Sequence, residues 1–162
     1  MIEIRAATAE DAEAILRIYN HYVANSVATF EEEPVELPAM VERMQKVAQA
    51  RLPWLVAVEQ GSVVGYAYAA PWQQRSAYRF AAESTVYIDP SATGRGLGSL
   101  LYAELLPAIR ARGIRSVIGG IALPNDASVR LHEKLGFEKV SHFKEVGFKF
   151  ERWVDVGHWQ KG

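Results

Sequence analysis

Residues Gly94-Arg95-Gly96-Leu97-Gly98-Ser99 set three glycines at the mouth of an apolar helical repeat. Without Cβ atoms such a stretch turns sharply and lets its N–H groups approach an anion, while the helix start adds unpaired donors and a partial positive charge. A phosphate or pyrophosphate suits that arrangement, although a plain strand-to-helix turn has the same composition. Upstream, period-two alternation puts Glu83, Thr85 and Tyr87 on one face of a strand and Ala82, Ser84, Val86 and Ile88 on the other. A carboxyl at Glu83 is either a general base or half of an ion pair with a nearby arginine. Downstream, Asn125, Ser128 and His132 fall at i, i+3 and i+7, a polar stripe on a short helix whose Leu131 and Leu135 point elsewhere. Such a stripe lines something, unless His132 is simply a hydrogen-bonded structural residue. A zinc helix needs a second histidine at 136; the chain has Gly136 there, so no metal is expected.

The elements that must position these residues follow from pattern. Ile2 to Ala6 alternates briefly, and Thr8 with Asp11 has the spacing of a capping box. Ala12, Ile15, Leu16, Tyr19, Tyr22 and Val23 then recur at helical spacing. A loop rich in glutamate and proline over 30–38 precedes a second helix over 39–50. Runs 54–59 and 63–70 read as a hairpin turned by Gln60-Gly61-Ser62. A strand over 82–89 leads into the glycine loop, and Leu97, Leu100, Leu101, Leu105, Ala108 and Ile109 mark a helix that Pro107 should kink or stop early. A strand over 116–123, a short helix over 125–135 closed by Gly136, and two strands within 137–156 complete the chain. Helices alternating with strands, and a β-rich end, predict one α/β domain with a mixed sheet flanked by helices.

Composition narrows the function. A chain of 162 residues, 49% hydrophobic and 23% charged, has the balance of one domain with a sizeable core. Eighteen basic against nineteen acidic residues give a formal net charge of −1, which disfavours nucleic acid or an anionic membrane as partner. The first residues carry no apolar stretch behind a basic flank, and the chain contains no cysteine, so disulfides, thiolate metal sites and cysteine nucleophiles are excluded. A soluble protein of the cytoplasm is expected.

The phosphate ligand can be narrowed by elimination. A Walker loop needs a lysine that this stretch lacks, and a dinucleotide fingerprint needs a third glycine where Ser99 stands. The remaining pattern, x-x-x-Gly-x-Gly over 93–98 directly after a strand, resembles the acetyl-CoA pyrophosphate loop of the GNAT superfamily. The resemblance widens to the phosphinothricin and methionine sulfoximine acetyltransferases through Ile18-Tyr19-Asn20-His21-Tyr22, Ala81-Ala82-Glu83-Ser84-Thr85-Val86-Tyr87, Leu123-Pro124-Asn125-Asp126, Ser128-Val129-Arg130-Leu131-His132-Glu133 and Asp155-Val156-Gly157-His158-Trp159.

That resemblance implies a GNAT fold with a largely antiparallel twisted sheet of about seven strands, acetyl-CoA as co-substrate, a small amino-acid analogue as acceptor, and a homodimer. It makes Glu83 the general base, directly or through a water, and His132 a general acid or substrate contact. Asn125, and Ser128 on the same stripe, become cofactor contacts with the loop Gly94 to Ser99, while backbone groups of Val86, Tyr87 and Ile88 pair with the pantetheine arm like an added strand. Arg75, Tyr78 and Arg79 are placed to hold an acceptor carboxylate or phosphinate, with Phe30 as a pocket wall. Thr93 departs from the superfamily, which usually has glutamine or arginine in that slot. Rival readings are a GNAT enzyme for another amine (a protein N-terminus, a polyamine, an aminoglycoside) and a non-catalytic acyl-CoA sensor.

Overall fold

The computed structural model describes residues 1–162. Its elements run β1 (Ile2–Ala6), α1 (Ala12–Asn25), α2 (Leu37–Gln49), β2 (Trp54–Glu59), β3 (Ser62–Pro71), β4 (Ala81–Ile88), α3 (Leu97–Ala111), β5 (Ser116–Leu123), α4 (Asp126–Lys134), β6 (Glu138–Lys149) and β7 (Arg152–Lys161). The strands form one seven-stranded sheet in the order β1-β2-β3-β4-β5-β7-β6. Every neighbouring pair is antiparallel except β4 and β5, which are parallel. Helices cover both faces. On one, Leu101, Tyr102, Leu105 and Ile109 of α3 pack against Ala67, Ala69, Ala82, Val117 and Ile121. On the other, Ile15, Ile18, Tyr19 and Val23 of α1, with Met40 and Val47 of α2, pack against Trp54, Val56, Val58 and Tyr66.

Local physics refines several expected boundaries. The Thr8–Asp11 box is present, with the Thr8 N–H donating to Asp11 Oδ2 at 2.8 Å, but it opens a 3-10 turn over Ala9–Asp11 before α1 begins. The β2–β3 turn is two residues long, because Ser62 already pairs with Glu59; Gln60 and Gly61 both have positive φ, as a right-twisting two-residue hairpin demands. Pro107 does not end its helix: α3 continues to Ala111, so the early stop expected from the ring does not occur. The tertiary contacts of Leu105 and Ile109, both fully buried, offset the missing hydrogen bond. The last strand also reaches beyond 156 to Lys161, carrying the buried Trp159 into the core beside α3.

The seam between β4 and β5 positions the site. The two strands pair only through Ala81↔Ser116, Ala82↔Val117 and Glu83↔Ile118. Beyond Glu83 the ladder is absent and the strands part, while β4 stays paired to β3 as far as Ile88↔Gly65. The unpaired β4 edge therefore carries main-chain donors and acceptors that an extended ligand can use.

Candidate active site

The opening between β4 and β5 leads into a cavity of about 740 Å³ that the strands share with the N-terminus of α3 and with α4. Of the residues singled out in the sequence, Glu83, Val86, Tyr87, Ile88, Gly94, Gly96, Leu97, Gly98, Ser99, Asn125, Ser128 and His132 all line it. Arg95 does not: its guanidinium turns back to pair with Glu59 of β2. Phe30, Arg75, Tyr78 and Arg79 also lie outside the lining. The last three sit on an exposed loop that leads straight into β4, where Arg79 stacks over the Phe80 ring at 4.6 Å. Phe30 presses its ring on Gly147 of β6, too closely for a Cβ there.

The glycine loop meets the backbone requirement inferred for it. Gly94 and Gly96 both have φ of +76°, a region that side-chain-bearing residues avoid. The first helical hydrogen bond of α3 runs from Leu100 N–H to the Gly96 carbonyl at 3.2 Å, so the amides of Leu97, Gly98 and Ser99 have no partner within the helix. Gly98 serves a second purpose, since a Cβ on it would lie 2.9 Å from Leu131 Cδ2. Its absence lets α4 approach the start of α3 and form the opposite wall. On α4, the Asn125 side chain caps the helix by accepting from Ser128 N–H at 3.1 Å. Thr93 also lines the cavity, with its hydroxyl donating back to the Pro90 carbonyl at 3.3 Å.

Glu83 and His132 approach the opening from opposite faces of the sheet. Glu83 lies on the α1 face with Tyr87, whereas Ala82 and Ser84 point to α3. The ion pair offered as its alternative does not form: burial alone raises the Glu83 carboxyl above the ordinary glutamate value. His132 is 3% exposed and has both nitrogens engaged. Its Nδ1 lies 2.8 Å from the Ser128 carbonyl oxygen, a contact that requires a proton on Nδ1, so Nε2 is the acceptor in the neutral ring. Nε2 stands 3.2 Å from Tyr102 Oη, which is 3.1 Å from Ser84 Oγ. Burial lowers the His132 imidazole below the usual histidine value and raises the Tyr102 phenol to about 12, so both are neutral at pH 7.

Sequence reasoning missed Tyr102 and Ser84, which join His132 in this polar row, and Arg130 and Lys134, which add positive charge to the cavity wall. Tyr102 falls on the apolar stripe of α3, and nothing in the local sequence marks its hydroxyl as facing a histidine on another helix. Lys149 was missed as well. Its side chain is 1% exposed, and its Nζ donates to the carbonyls of Ser26 at 2.7 Å and Thr29 at 2.8 Å. The loop it holds carries Ala28 and Thr29, which line the cavity.

A parallel strand pair that parts over a glycine-rich helix start, with an unpaired carboxylate at the fork, is the site of an α/β enzyme able to hold an extended anionic ligand against a base. The comparisons make this specific. Residues 4–158 match the Acetyltransferase (GNAT) domain family, and the chain belongs to that family of N-acetyltransferases. It is 45% identical to a phosphinothricin N-acetyltransferase of Streptomyces viridochromogenes, covering 99% of this chain and 87% of that protein. It is 35% identical to an L-methionine sulfoximine/L-methionine sulfone acetyltransferase of Salmonella typhimurium, covering 94% and 90%. A crystal structure of a GNAT superfamily phosphinothricin acetyltransferase from Sinorhizobium meliloti, in complex with AcCoA, superimposes with a TM-score of 0.96 at 38% identity, covering 99% of this chain and 87% of that one. The expected GNAT fold is thereby established.

Proposed function

We propose that this enzyme moves the acetyl group of acetyl-CoA to the amino group of a small amino-acid analogue of the phosphinothricin or methionine sulfoximine kind. The observation that carries this reading is Glu83, a carboxylate without an ionic partner, placed where β4 and β5 part and in the same cavity as the glycine-loop amides. The cavity suits the co-substrate: the free amides of Leu97, Gly98 and Ser99 would hold a diphosphate, the β4 edge from Val86 to Ile88, where the Ile88 carbonyl already accepts from the Tyr22 hydroxyl, an extended amide arm, and Asn125 and Ser128 the opposite side. When bound, acetyl-CoA supplies the activated acyl group.

Glu83 takes the proton that the incoming ammonium must lose to become a nucleophile, and its raised pKa makes it a better base than an exposed glutamate. His132 Nε2 carries no proton in the neutral ring, so His132 supplies none to the leaving thiolate; it orients the Tyr102 hydroxyl, which turns to donate to that thiolate. In this reading Arg75, Tyr78 and Arg79, on the exposed loop entering β4 and outside the cavity lining, hold the carboxylate or phosphinate of the acceptor, with Phe30 as a wall of its approach. The similarity to the two named groups of acetyltransferases supports this acceptor class.

The exposed apolar side chains of the last hairpin, Val140, Phe143, Val146, Phe148, Phe150 and Trp153, support a homodimer built on it. The cytoplasm is the proposed compartment, in keeping with the absence of cysteine. No helix is long and apolar enough to cross a membrane.

Calorimetry with acetyl-CoA, followed by thiol release over an acceptor panel, tests the assignment. Saturable turnover of phosphinothricin, methionine sulfoximine or methionine sulfone is expected, with polyamines, aminoglycosides and N-terminal peptides poor by comparison. Binding without turnover of any amine would identify an acyl-CoA sensor, and no heat on mixing would remove the family chemistry altogether.

A further inference from the structure

Gly120 of β5 lines the cavity, and its missing side chain leaves a gap with two polar walls. A Cβ built on it would stand 3.6 Å from Glu83 Oε2 and 3.5 Å from His158 Nε2. His158 belongs to β7, directly opposite Gly120 in the ladder, and reaches the same face of the sheet as Glu83. Its ring is fixed on three sides: Trp72 meets it edge-on at 5.6 Å, Phe143 does so at 6.0 Å, and Ser141 Oγ lies 2.8 Å from Nδ1. The remaining nitrogen, Nε2, is directed at the gap.

We propose that His158 is an acceptor-positioning residue: its Nε2 takes one N–H of the acceptor's amino group in the Gly120 gap while Glu83 takes another from the far side. This rests on the reading of Glu83 as the base that meets the amine. The chemistry of the gap fits a primary amino group, which presents N–H donors in more than one direction to two acceptors converging on one methyl-sized space. The proposal takes the tautomer in which Nδ1–H donates to the Ser141 hydroxyl and the Nε2 lone pair is free for this contact, and partial burial disfavours the imidazolium that would block it. The aromatic edges of Trp72 and Phe143 prevent the ring from turning away. An acceptor whose nitrogen carries a bulky second substituent would collide with Gly120, so the same geometry selects for unsubstituted amines.

Two substitutions separate this role from general structural support. Gly120→Ala places a methyl in ordinary van der Waals contact with both groups, so it fills the gap without disturbing the fold. His158→Phe keeps the aromatic packing and deletes both nitrogens. With the best amine of the acceptor panel, each is expected to raise the acceptor KM about tenfold or more, the scale of one lost hydrogen bond to a charged group, while the KM for acetyl-CoA stays within about twofold of wild type. His158→Gln, with an amide oxygen near the place of Nε2, should recover part of the loss. Unchanged acceptor KM in both Gly120→Ala and His158→Phe overturns the proposal.

A second measurement can overturn the proposal even if no amine in the panel is a substrate, an outcome that would count against the proposed function instead. In NMR titrations of His158, Glu83→Gln should lower the imidazole midpoint, because a carboxylate sharing the gap favours the protonated ring. An unmoved midpoint would show that the two groups do not share that space.

Discussion

The two halves of the β4–β5 seam differ in a single respect. From Ala81 to Glu83 the strands are bonded and Ala82 and Val117 are fully buried core; past Glu83 the same strands run unbonded and line a cavity. The fold thus makes its site by withholding a few ladder hydrogen bonds rather than by adding a loop or a domain. Both halves rest on α3, whose Leu101, Leu105 and Ile109 hold the closed part and whose first turn offers its amides to the open part. Stability and binding are therefore divided along one helix.

The sharpest way to break this contrast is Glu83→Gln, at the fork itself. A general base of this kind contributes about a hundredfold to ten-thousandfold, so kcat/KM should fall by roughly a thousandfold. The sign with pH follows from the raised pKa of Glu83: the ionised form is the active one, so wild-type activity is present above that pKa and declines as pH falls through it, and the variant should lose this limb. Stability should move the opposite way. The folded state holds the Glu83 proton to higher pH than the unfolded chain does, so the group destabilises the fold above its native pKa. Glu83→Gln should then unfold at a higher urea concentration than wild type at neutral pH, and equal midpoints would place Glu83 in an ordinary solvated setting.

A smaller effect is expected from Tyr102→Phe, which joins the two regions. Loss of the hydroxyl leaves His132 Nε2 and Ser84 Oγ without their shared partner, costing about 1–3 kcal/mol of stability. It should also lower kcat about a hundredfold if the phenol is the donor for the leaving thiol. A stability loss with wild-type kcat would confine Tyr102 to the core. The smallest effect belongs to the closed part of the sheet. Gln60 has φ of +50° in the β2–β3 turn, where asparagine is the better residue, so Gln60→Asn should stabilise by about 0.5 kcal/mol or less and leave kinetics untouched.

Much of this was readable from the sequence, because the signals were local. Alternation on β4 grouped Glu83 with Tyr87 on one face, the i, i+3, i+7 stripe of α4 grouped Asn125, Ser128 and His132, which the fold sets on the cavity, and the glycines of the loop announced a sharp turn, which Gly94 and Gly96 make with positive φ. What escaped depended on contacts between distant elements. The partners of His132 come from α3 and β4, and the His158 imidazole enters from the last strand through a ladder that places it beside Gly120. Pro107 failed as a helix stop because the local penalty competes with burial that only the tertiary fold creates. The arginines of the loop before β4 precede Glu83 in sequence, but nothing local says which way an exposed guanidinium points, and the fold leaves both outside the cavity lining.

The buried ammonium of Lys149 ties the turn end of the last hairpin to carbonyls of the segment that follows α1. These two stretches lie at opposite ends of the polypeptide, and the second supplies Ala28 and Thr29 to the cavity wall. Lys149 thus lets the turn of the last hairpin fix part of the cavity wall from the far end of the sequence.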